Sequence, residues 1–187
     1  MTPEKLKYSF LILSLFFCAV FVAPSPSKAQ KRDHLNEMEV ELVRDAQEID
    51  KRTEIFVKAI DRRFLVLNND AAQAKQIAKD IDKWGELPAG TRLQLFTDIK
   101  KIFEEAINNI DDVAAHDKMD KELFPKAVRS LAEAANRYLP AFKTALDKTT
   151  DEKEKGAILA SIESCEQVIE ASAKVPKEEQ KKKKGSK

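Results

Sequence analysis

From Leu35 onward, apolar residues recur every three or four positions: Leu35, Met38, Leu42, Ala46, Ile49, Thr53, Phe56, Ile60, Phe64 and Leu67. This is the spacing of one helix face, close to a heptad repeat and coiled-coil-like. Glu39, Glu41, Asp50, Lys51, Lys58 and Asp61 fall off the stripe and are expected on the solvent side. At Asn68-Asn69-Asp70 three weak helix formers meet, and Asp70 has Gln73 three residues on, as a capping residue would. The stripe still stays in phase through Ala71, Ala74, Ala78, Ile81 and Trp84. The weak formers place a break or kink at 68–70. An unbroken helix to residue 84 would leave half of its stripe without a partner, and would predict a homodimer through this first helix. A break permits a compact monomer.

Gly85 and Pro88 end the first helical region, and Thr91 with Gln94 forms a capping box for the next. Its stripe is Leu95/Phe96, Ile99, Ile102/Phe103, Ala106, Ile110 and Val113, fading near His116. A further helix starts within 120–125 and carries Phe124, Val128, Leu131, Ala135, Tyr138/Leu139, Phe142 and Leu146. Pro140 removes the bond to the Asn136 carbonyl, so a bend is expected there. Thr149, read as the cap, and the acids Asp151 and Glu152 open the last helix. Its stripe is Ile158, Ile162, Cys165, Ile169 and Ala173, widened by Leu159 and Val168, and it stops at Pro176. The pattern predicts an all-α fold: an antiparallel up-and-down bundle of four to five helices over residues 30–174. Residues 175–187 are polar and rich in lysine, and are expected to be a disordered tail.

Composition supports helices over sheet, with only 4 glycines in 187 residues and 35% charged residues. It also separates the amino terminus from the rest. Lys5 and Lys7 precede a 15-residue apolar run from Tyr8 to Val22, and Ser27-x-Ala29 has the small-x-small form of a cleavage site. The run is shorter than the ~20 residues a membrane span needs. Residues 1–29 therefore read as an export signal, with cleavage after Ala29 delivering the protein to a periplasm or the exterior. An uncleaved N-terminal membrane anchor is the alternative. Cleavage would leave Cys165 as the one cysteine, so no internal disulfide could support the domain.

Charge is unevenly distributed. Residues 30–173 hold 23 basic and 29 acidic side chains, while 174–187 hold seven lysines and two glutamates. An acidic body with a basic tail is not the profile of a nucleic-acid-binding protein. Lys181, Lys182, Lys183 and Lys184 suit an anionic envelope component.

Candidate chemistry is sparse. Beyond residue 29 the chain has no Gly-x-Ser-x-Gly, no Ser-x-x-Lys, no Cys-x-x-Cys-His and no glycine-rich phosphate loop. His116 with Asp112, Asp117 and Asp120 is a weak divalent-cation cluster that reads better as a solvated helix end. Cys165 lies mid-helix on an apolar stripe and reads as a structural thiol. Arg62 and Arg63 form a dense cationic spot that could hold an anion or a partner carboxylate, or could lay their stems along the core edge with heads in water. Trp84, before the Gly85 loop, reads as a core lid or an interaction platform. The expectation is a non-enzymatic exported bundle without cofactors, acting on an unknown protein or on the envelope. A small-ligand- or metal-binding bundle is the alternative.

Overall fold

The computed structural model describes residues 33–69, 80–116 and 120–176. The segment read as an export signal, Asp70 to Ala78 of the stripe, and the lysines from Lys177 on lie outside the described residues. Among those described there are helices and no strands: α1 Glu37–Asp45, α2 Ile49–Asn68, α3 Ile81–Trp84, α4 Arg92–Ala115, α5 Leu123–Lys148 and α6 Glu152–Ser172. They pack together as an all-α bundle, in which α2, α4, α5 and α6 supply most of the core. No helix among the described residues is long and apolar enough to cross a membrane.

The ends of the helices follow from local chemistry. Asn36 and Glu39 close a reciprocal capping box on α1, as Thr91 and Gln94 do on α4. Helix α2 ends at Asn69, which adopts the left-handed conformation (φ 51°) that asparagine tolerates. Gly85 (φ 68°) ends α3 in a backbone region that glycine alone enters without strain. The cap of α6 is Asp151 rather than Thr149. Its Oδ1 accepts from the amides of Lys153 and Glu154, where a carboxylate also complements the helix dipole, and Thr149 Oγ1 accepts from the Asp151 amide. Helix α5 runs on through Pro140, and Asn136 turns its side-chain amide back to the Ala132 carbonyl.

The stripe from Leu35 is not one helix. It is interrupted between α1 and α2, where the Ala46 backbone is extended. Arg52 satisfies the Ala46 carbonyl released there, through Nε at 3.0 Å and Nη2 at 2.8 Å. The break returns α1 against α2. With α2 also ended at Asn69, the unbroken helix from which a homodimer was expected is not present. The inward face of α2 is instead covered within the chain by α4 and α5.

Phe56, Ile60, Ile99, Ile102, Phe103, Leu131, Phe142 and Ile158 are fully enclosed. Alanines at 127, 134, 135 and 157 let the helices approach closely, and Phe64 stacks on Tyr138 at 5.1 Å between centroids. Three stripe positions point outward instead: Met38, Ile81 and Leu159 are exposed.

Candidate functional site

Two sites stand out in the fold, and the first gathers Arg62, Arg63 and Trp84, the residues singled out in the sequence. The first is a buried charge cluster. Arg62 and Arg63, adjacent on α2, both turn inward onto Glu39 of α1. Glu39 Oε1 accepts from Arg62 Nε at 3.0 Å and Arg63 Nη1 at 2.7 Å; Oε2 accepts from Arg63 Nη2 at 2.7 Å and from the Asn36 amide at 3.0 Å. The remaining contacts go to backbone. Arg62 Nη2 donates to the Gly85 and Glu86 carbonyls, and Arg63 donates to the carbonyls of Ala59 and His34. All three charged side chains are essentially inaccessible to water. Neither arginine keeps its head in solvent, and Glu39, which the hydrophobic pattern placed on the surface, is the carboxylate they hold.

Burial pulls the Arg62 guanidinium below its ordinary range; Glu39 opposes this and the like charge of Arg63 adds to it. Arg62 Nη1 and Arg63 Nε are buried without a hydrogen-bond partner among the described residues. Trp84 covers the cluster, its ring 5.8 Å from Arg62 Cζ and 4.8 Å from Lys58 Nζ. Asn36 Nδ2 donates to the Trp84 and Glu86 carbonyls. Arg62, Arg63 and Trp84 therefore come together, but as a clamp that ties residues 34–39 and 84–86 to α2. The buried heads leave no open anion site there. Beside it, His34 Nε2 lies 2.7 Å from Glu105 Oε2 on α4.

The second site is open. A groove of about 530 Å³ runs along α2 beside α5. Val57, Phe64 and Leu65 form its apolar part; Lys58, Asp61, Asn68, Ser130 and Arg137 supply polar groups, with Glu54 at one end. The Tyr138 hydroxyl, beneath, lies 2.6 Å from Asp61 Oδ1 and 3.1 Å from the Val57 carbonyl. Burial, then the Asp61 charge, pushes the Tyr138 phenol far up, so it stays protonated and donates to Asp61. Arg137 lies over the Tyr138 ring at 5.2 Å. Sequence reasoning missed this groove. Its polar groups belong to two helices 62 or more positions apart, and no linear pattern joins them.

The remaining candidates are dispersed. Cys165 is buried, and burial followed by the nearby Glu166 charge pushes its thiol up to about 12. His116 ends α4, its Nδ1 2.8 Å from the Asp112 carbonyl oxygen, while Asp120 accepts from the Glu122 and Leu123 amides at the start of α5. Asp117 and Lys181–184 lie outside the described residues. Among the described residues no group of three or more His, Cys, Asp or Glu side chains is placed to hold a metal ion. No protein-family model, curated protein or solved structure matches the chain.

Proposed function

We propose that this protein is an exported, non-enzymatic binding bundle whose recognition site is the groove between α2 and α5. The groove carries the reading. Its volume lies in the ~300–1,000 Å³ range of ligand sites, and it combines apolar surface with a few polar groups from two rigid helices. The buried clamp supports this by holding one end of α2 to its neighbours, so that the groove wall is rigid. A protonated, enclosed Cys165 and an exposed His116 give little support to a catalytic reading. In this proposal the lysines 181–184 hold the exported protein near an anionic envelope surface by charge alone.

The test uses the chain purified from an exporting host and screened against small molecules, peptides and vesicles. Thermal unfolding and Trp84 emission report binding. Ser130→Phe narrows the groove, and the response to a true ligand is expected to disappear with it. A response that survives this substitution would refute the groove as the site. A Soret band or a stoichiometric metal in the purified protein would favour the cofactor-binding alternative. Removal of 177–187 is expected to abolish salt-sensitive binding to anionic vesicles, and unchanged binding would take the tail out of the account.

A further inference from the structure

Arg62, which also lines the groove, is buried in the clamp; the groove's exposed charges can each be followed to their partners, and doing so narrows the ligand. Glu54 has Lys51 at 3.2 Å and Lys126 at 3.8 Å. Asp61 Oδ1 is taken by the Tyr138 hydroxyl at 2.6 Å. Arg137 shares its guanidinium between the Tyr138 hydroxyl and that same Asp61 oxygen, the latter with Nη1 at 3.5 Å, beyond the ~2.7–2.9 Å of a good charge-assisted hydrogen bond. Its side chain is 59% exposed, and the Tyr138 ring beneath it orients the guanidinium plane. Arg137 is thus a positioned fork of donors with little committed to the protein. Across the groove, Lys58 Nζ is bound to Asp80 at 2.8 Å, but both side chains are substantially exposed and such a pair is of small net worth. A competing anion exchanges with it at little cost. Glu54 and Lys58 both sit in exposed pairs that a ligand can exchange with, Asp61 Oδ1 is engaged by Tyr138, and Arg137 has the longest ion-pair contact of the groove's two exposed cations; the surface between them is Val57, Phe64 and Leu65.

Resting on the groove as the recognition site, we propose that its ligand is a small amphipathic anion. The apolar body lies on Val57, Phe64 and Leu65, and a carboxylate or phosphate head is held by Arg137, with Lys58 on the other wall. A ligand lacking the charge forfeits the guanidinium contact, and one lacking the apolar body leaves that surface wet.

The experiment titrates the full exported chain with decanoate, decyl phosphate and decanol, each below its micelle-forming concentration. Binding is read by calorimetry and by emission of Trp84, the only tryptophan in the chain, whose ring Lys58 overlies. Decanoate or decyl phosphate is expected to bind at least about tenfold more tightly than decanol. Arg137→Gln removes most of that difference, Arg137→Lys restores part of it, and Lys58→Gln lowers it less. The stronger of the two anions identifies the head group. Inorganic phosphate alone is expected to bind far more weakly than decyl phosphate. Arg137 is exposed, so its variants should fold, and circular dichroism verifies this. Equal binding of decanol and decanoate, both lost in Ser130→Phe, would overturn the anionic ligand and leave the groove standing. Anion binding untouched by both Arg137→Gln and Ser130→Phe would overturn the ligand and the groove together, as would no binding of any of the three.

Discussion

Replacing Glu39 by Gln keeps the shape of the side chain and removes the charge that two buried guanidinium groups share. In the native protein its two oxygens accept four donors, three of them cationic nitrogens within 3.0 Å. The neutral amide has one acceptor oxygen and presents an N–H₂ group to a site that already holds an excess of donors. Removing one partner of a buried pair costs about 3–5 kcal/mol, because the remaining charge is left unpaired in a dry environment. Here two positive charges are left, so the upper part of that range applies. For a chain of this size about 1 kcal/mol moves the melting temperature by ~2–4 °C, so a loss of about 4–5 kcal/mol in Glu39→Gln should lower it by roughly 8–20 °C. Urea unfolding followed by circular dichroism gives the free energy directly, with Trp84 emission reporting on the clamp itself. A double-mutant cycle with Arg63→Gln isolates the pair, and adjoining groups in one network are expected to couple by about 0.5–3 kcal/mol. A loss below ~1 kcal/mol for Glu39→Gln, with no coupling to Arg63, would refute the clamp.

Three further outcomes follow from single positions. Gly156 lies mid-helix in α6 and a Cβ built there meets nothing within 4 Å, so Gly156→Ala should stabilise the fold by about 0.5–1 kcal/mol, read from the urea midpoint. Gly85→Ala should do the opposite, costing about 1–3 kcal/mol in the same assay, because its backbone (φ 68°, ψ −174°) suits glycine alone and a Cβ would stand 3.2 Å from Met38 Cγ. Burial pushes the Asp50 carboxyl up, but Lys126 and the Lys51 amide more than offset this and hold it below its ordinary 3.8. Its stabilisation is therefore present above about pH 4 and is lost as pH falls through the lower folded value. Asp50→Asn should flatten that acid-side loss in urea midpoints measured from pH 6 to 2, and an unaltered pH profile would contradict the assignment.

The helical class and the long α4, α5 and α6 were legible because their apolar stripes hold helical spacing throughout, with the Thr91–Gln94 box opening α4 and Pro176 following α6. The charge clamp was not, and the reason is arithmetic. From Leu35, the steps to Met38 and Leu42 are three and four; the steps to Glu39 and Leu42 are four and three. Helical spacing admits either residue on the inward face, and hydrophobicity selects Met38. The structure places Glu39 inward and leaves Met38 exposed, because Arg62 and Arg63 on the facing helix require an anion. The break at 46–48 is hidden for a related reason. Three non-helical residues keep Ile49 in phase with Ala46, and Ala46-Gln47-Glu48 contains neither glycine nor proline. What compensates the break is Arg52, six positions later, on the Ala46 carbonyl.

The same geometry explains why charge rather than leucine occupies this contact. Helix α1 is only nine residues long, and its apolar side chains Val40, Leu42 and Val43 are only partly buried. Apolar contact is non-directional and would tolerate a shift of so short a helix along α2. Glu39 does not tolerate one. A slip of one residue would turn its carboxylate through about 100° around the helix axis and leave both guanidinium groups unpaired. The clamp thus fixes register where apolar burial is too small to do so. Through the Arg62 contacts to the Gly85 and Glu86 carbonyls, it passes that register to the loop beneath Trp84, and so to Lys58 at the wall of the groove.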